Sequence, residues 1–249
     1  MSTRDDDDPR AEWRRRALLR WLAQRGAALA ALAGSARAAA QVFGNAPRRL
    51  VNESVFRVSG DTSVNGQPVT RATRIGAGDL LRTGRDSELV FVVGSAAMLM
   101  RADTQVQLQG ASASGQPTTV VVPSGKLLAV FAPGQRAVQT ATAVVRISGT
   151  GVYVESNPQE TYFCTCYGKA EVVATADTTS REQVISRHHD KPLYIAAGQA
   201  AGRAIRRAPF INHTDDELAL IEALVGRAPP WALGVDRYDR RRPADEYNR

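Results

Sequence analysis

Cysteine is almost missing from this chain: 249 residues carry two, Cys164 and Cys166. That excludes a disulfide scaffold, so the core must form by burial, which a chain of this length can supply as one domain with small additions. Lysine is nearly as scarce (Lys126, Lys169, Lys191), and the net charge of +7 is carried by arginine. Residues 1–40 hold eight Arg against five acids, leaving 24 basic and 20 acidic residues for the rest. Those charges are interspersed, with no basic stripe and no aromatic interleaving, so nucleic acid is excluded as a partner. Also missing are a Gly-x-Ser-x-Gly elbow, a phosphate-cradling Gly-rich loop and a His-Glu-x-x-His pair, which removes the common hydrolase and nucleotide chemistries. Asp61, Asp79, Asp86 and Asp103 each sit at a turn, where a carboxylate caps backbone amides. An envelope-polysaccharide enzyme is the weakest of the readings, because no spacing selects a carboxylate pair.

No apolar run is long enough to span a membrane stably. The leader has Arg14-Arg15-Arg16-Ala17-Leu18-Leu19-Arg20, an apolar stretch over residues 26–34, and then Ser35-Ala36-Arg37-Ala38-Ala39-Ala40. A basic start, a short apolar centre and an Ala-x-Ala exit read as a secretory signal cleaved after Ala38 or Ala40. The stretch is well short of the ~20 residues that cross a bilayer. Arg-Arg-x-Leu-Leu-Arg is similar to a twin-arginine signal, which carries proteins across already folded. The expected location is periplasmic or secreted.

What is present over residues 54–176 is a series of short β-branched and aromatic runs bounded by Gly or Pro. Examples are Val55-Phe56-Arg57-Val58, Glu88-Leu89-Val90-Phe91-Val92-Val93, Val120-Val121-Val122 and Gly151-Val152-Tyr153-Val154-Glu155. Their length and spacing predict an all-β body, either a coiled, solenoid-like sheet or a sandwich. Asn65-Gly66 predicts a type I′ hairpin turn, and Ser59-Gly60-Asp61, Gly84-Arg85-Asp86, Gly110 and Pro123-Ser124-Gly125 predict further reversals. Residues 111–118 read as loop. The β region is expected over 41–205, a docked segment over 206–235 and a disordered tail over 236–249.

The docked segment contains one helix. Thr214-Asp215-Asp216-Glu217 is a capping box, and Leu218, Ile221, Leu224 and Val225 fall on one face. Gly226 suits a left-handed closing residue, with Pro229-Pro230 and Trp231 beyond. This predicts a C-terminal amphipathic helix of about three turns held by docking, since so short a helix is marginal alone.

The body resembles the FecR-like domain family. Val58-Ser59-Gly60-Asp61-Thr62, Val64-Asn65-Gly66-Gln67, Ile75-Gly76-Ala77-Gly78-Asp79-Leu80-Leu81-Arg82-Thr83-Gly84 and Ser87-Glu88-Leu89-Val90-Phe91-Val92 carry the resemblance, over residues 54–132. It implies an all-β, non-catalytic module outside the cytoplasm that binds a protein or cell-envelope component, in sensing or signalling. Thirteen residues precede the triple arginine. The expectation is therefore an exported relative lacking the family's cytoplasmic sigma-binding domain.

The alternative function, a periplasmic metal-handling or redox-responsive protein using the Cys164/Cys166 pair, rests on the scarce residues. On a strand, Cys164 and Cys166 point to the same face, about 6.5 Å apart at ~3.3 Å per residue. Three outcomes follow: inert core thiols, a strained disulfide, or two soft ligands for a metal. His188-His189-Asp190 lies about twenty residues on, and His213 is the remaining histidine. Cys164, Cys166, His188 and His189 are thus the candidate ligands for zinc or copper, with one of the two adjacent histidines on the thiol side.

Overall fold

The computed structural model describes residues 50, 52–198 and 203–233. The expected signal at 1–40 and tail at 236–249 lie outside them. Among the described residues, fourteen strands form one hydrogen-bonded sheet folded onto itself. They are β1 (Val55–Ser59), β2 (Thr62–Val64), β3 (Gln67–Pro68), β4 (Leu80–Thr83), β5 (Glu88–Val93), β6 (Ala96–Met100) and β7 (Gln105–Gln109). β8 (Thr119–Val130), β9 (Gln135–Thr140), β10 (Ala143–Ser156), β11 (Glu160–Ala174), β12 (Arg181–Ser186), β13 (Leu193–Ala196) and β14 (Ile205–Arg207) follow. The helix α1 (Asp215–Leu224) and a 3-10 turn (Pro230–Leu233) close the described chain.

Three long strands turn this sheet into a sandwich. The first half of β8 pairs with β7 and β9, while its second half pairs with β6 and β10. β10 likewise pairs with β9 through residues 144–148 and with β8 through 151–156. β11 carries β13 at its start and β12 at its end. One layer therefore runs β3-β2-β4-β7-β8-β9-β10-β11-β12, and the other β1-β5-β6-β8-β10-β11-β13-β14. All pairings are antiparallel except β8 with β9, so successive turns do not stack as parallel rungs. Of the two expected arrangements, the sandwich forms.

The strands bend at glycines, and here the turn reading needs correction. Pro123-Ser124-Gly125 is no reversal; it lies inside β8. Gly125 takes φ +97°, and an added Cβ would sit 2.3 Å from the Thr104 backbone. The same substitution of bend for turn joins residues 143–147 and 151–155 into β10. The signal was right in kind, since glycine breaks the pleat, but partners on both sides keep each strand running.

Side-chain alternation then makes two cores. Phe91, Met98, Met100, Leu127, Ala129, Val154 and Phe163 face the opposite layer, whose Leu81, Val106, Leu108, Val145 and Val172 meet them. Val90, Val92, Leu99, Leu128, Val130, Tyr153, Cys164 and Cys166 point out of the sandwich. Leu218, Ile221 and Leu224 of α1 cover them. The helix has the expected capping box, with Glu217 N donating to Thr214 Oγ1 at 3.2 Å and Thr214 N to Glu217 Oε2 at 2.9 Å. Beyond it, Gly226 takes φ 73°.

The motifs of the family resemblance serve the scaffold. Asn65 and Gly66 take φ 51° and 80° in the β2–β3 turn. Asp79 accepts from Asn65 Nδ2 and from Gly76 N, both at 2.8 Å. Buried Thr83 donates to Arg101 O and accepts from Thr104 N, capping backbone between strands.

Candidate metal centre

β11 presents Cys164 and Cys166 on its outward face, both fully buried and both free thiols. Beside them runs the loop from Ser186 to Asp190. It is closed by Asp190, whose carboxylate accepts from Arg187 N at 2.6 Å and whose own N donates to Ser186 Oγ at 3.0 Å. His189 N donates to Cys166 O at 2.9 Å, fixing the loop to the strand. His189 takes φ 58°. In an extended strand adjacent rings point to opposite faces; this left-handed residue turns His188 and His189 toward the same carboxylate, Asp215.

The remaining ligand comes from the segment entering α1. His213, buried at 3 % exposure, stacks on Tyr153 with centroids 4.3 Å apart. Cys164 Sγ lies 3.4 Å from His189 Nδ1, Cys166 Sγ 3.5 Å from His213 Nε2, and the two ring nitrogens 3.2 Å from each other. A tetrahedral ion bound at about 2.0 Å to nitrogen and about 2.3 Å to sulfur has N···N edges of roughly 3.3 Å and N···S edges of roughly 3.5 Å. Three of the six edges thus match such an ion, and all four ligand atoms lie within 4.8 Å of one another.

Each imidazole is also held by its other nitrogen. His213 Nδ1 lies 2.7 Å from Ile211 O, so it carries the proton and leaves the Nε2 lone pair free. His189 Nε2 lies 3.1 Å from Asp215 Oδ1, leaving Nδ1 as acceptor. A carbonyl and a carboxylate behind ligating imidazoles are the partners that orient them and raise their basicity. Phe210, itself half exposed, packs on both rings, with centroids at 4.4 Å from His189 and 4.6 Å from His213.

The electrostatics favour one thiolate. Cys164 is held down at about 4, first by the hydrogen bond from Cys166 and against the opposing effect of burial, while burial pushes the Cys166 thiol up. Burial opposes charge on His189, but Cys164 and Asp215 outweigh it and its pKa rises. Burial likewise opposes ionisation of Asp215, and His188 and His189 reverse it.

Of the four ligands expected from the sequence, Cys164, Cys166 and His189 come together. His188 stands outside with Asp215 at 2.8 Å. The fourth member is His213, which sequence reading left unassigned. Its signal was scarcity: two of the chain's three histidines, His189 and His213, converge on its two cysteines.

No family model and no curated protein matches the chain. Among solved structures, two crystal structures at 1.65 and 2.50 Å resolution, of a Parabacteroides distasonis ATCC 8503 protein proposed to be an anti-sigma factor, are similar to it. Each has 12 % identity and a TM-score of 0.42, over 52 % of this chain and 58 % of that one. The chain thus spans less than two thirds of those proteins, and likeness this slight transfers no role.

Proposed function

We propose that the protein is an exported, non-catalytic β module that holds one zinc ion between Cys164, Cys166, His189 and His213. The observation behind this reading is the spacing of the four ligand atoms together with the free lone pairs on both rings. Four protein ligands close a tetrahedral sphere and leave no position for water or substrate, the mark of a structural rather than catalytic ion. Copper(I) also favours thiolates, but two imidazoles and four-coordination suit zinc better. The ion ties β11 to the loop before β13 and to the entry of α1. The partner in this reading is a protein or cell-envelope component. β12 and β14 end the two layers and, among the described residues, each pairs on one side alone, leaving a main-chain edge for an extended strand.

Metal analysis of the purified protein tests the reading. One equivalent of zinc is expected, absent from a Cys164→Ser/Cys166→Ser variant. Cobalt substitution should give thiolate-to-cobalt charge-transfer absorption. A metal-free protein that takes up neither ion would refute it. For export, Arg15→Lys/Arg16→Lys should keep the protein out of the periplasm; unchanged export would remove the twin-arginine part alone.

A further inference from the structure

His189 stands between two sets of ligand atoms. Its Nδ1 faces the thiols and His213; its Nε2 faces Asp215 Oδ1 at 3.1 Å. On that outer side His188 Nε2 lies 2.9 and 2.8 Å from the two Asp215 carboxylate oxygens. One atom each from His188, His189 and Asp215 thus fall within 4.8 Å of one another, a second group of ligand atoms sharing one ring with the first.

We propose that His188, His189 and Asp215 form a second, solvent-open site for a divalent transition ion such as Zn2+, bridged to the inner ion by the His189 ring. The proposal rests on the inner-site reading, because His189 then serves both ions.

The two sites differ in the way their surroundings dictate. The inner ligands are buried, whereas the side chains of His188 and Asp215 are 47 % and 46 % exposed. Three protein ligands with open positions for water make a site that exchanges its ion, unlike a closed four-ligand one. Two imidazoles and a carboxylate suit a borderline ion such as zinc or copper(II). The ligands are also pre-set. His188 packs on Trp231 at 4.3 Å, and Asp215 is the first residue of α1. The positive end of that helix opposes a cation, but Asp215, Asp216 and Glu217 crowd its first turn, and of these Glu217 is engaged by Arg101. On binding, the outer ion takes the place of the Nε2 proton of His189, which leaves to solvent.

The test starts from full-length protein carrying one equivalent of zinc and titrates further Zn2+ by calorimetry. A second, weaker equivalent is expected. His188→Ala should weaken that second equivalent by at least about tenfold while keeping the first; Asp215→Asn should weaken the second at least as much and also loosen the first, because Asp215 orients His189. In cobalt-loaded protein the second ion should add no thiolate charge transfer. If wild type binds one equivalent only, the outer trio merely orients His189 and the proposal falls while the inner site stands. A second equivalent untouched by both variants places that ion elsewhere and also overturns it. A protein that binds no ion at all takes down the inner-site reading with it.

Discussion

At the scale of single residues, the least expected group is Glu222, a carboxylate at 1 % exposure on the buried face of α1. The Tyr167 hydroxyl donates to one of its oxygens, and Arg227 Nε donates to the other at 2.7 Å. Burial raises its pKa and Arg227 offsets this in part. A raised folded value means the fold prefers the protonated acid. Its contribution is full below the ordinary glutamate value of 4.5 and is lost as pH rises through the higher folded one. Glu222→Gln should flatten that loss of stability, read by urea unfolding across the window with chelator present throughout. Glu222→Leu leaves the Tyr167 hydroxyl and one side of the partly exposed Arg227 without their partner and should cost roughly 1–3 kcal/mol. A Leu variant as stable as wild type would show that the pair contributes nothing.

At the scale of elements, α1 is a ten-residue helix whose last turn carries no basic residue. Isolated helices of that length barely form, so its cap and its docking must hold it. Leu218, Ile221 and Leu224 supply the docking; Thr214 supplies the cap. Thr214→Ala should therefore cost about 1 kcal/mol. Because His213 and Asp215 flank that threonine, the same change should also weaken zinc retention in a chelator competition. A loss of stability with unchanged zinc retention would mean the cap and the ligand cluster are independent. The capping box was legible because its partners are three residues apart and the chemistry is local. The same holds for Asn65-Gly66, whose backbone angles follow from residue type. The bend at Gly125 was misread as a reversal, because a glycine marks a break in the pleat without saying whether neighbours continue the pairing.

At the scale of the whole molecule, the ligand cluster joins three separate stretches of chain, so ion binding should couple to folding. With zinc at about a thousandfold over its dissociation constant, mass action adds roughly 4 kcal/mol. The holo protein should melt several degrees above the chelator-treated one. Thiolates and neutral imidazoles are the binding forms, so protons compete and zinc is released as pH falls. The gap between the two melting curves should close toward about pH 5. Equal melting with and without chelator near neutrality would show that the ion does not fasten the segment. Among the described residues no helix is long and apolar enough to cross a membrane.

Composition, periodicity and turn chemistry by themselves determined an all-β body, a capped C-terminal helix and a pair of thiols on one strand face. Each of these depends on residues within one turn or one strand of each other, where backbone geometry follows from residue type. Tertiary structure alone decided the sandwich and the ligand set. Cys164 and His189 are 25 residues apart, and Cys166 and His213 are 47 apart. What brings them together is β11 carrying β13 at one end and β12 at the other, with α1 laid over its outward face. That arrangement comes from strand pairing between distant segments, which no local pattern encodes. It is also why His213 joins the thiols and its more conspicuous relative, His188, faces the solvent.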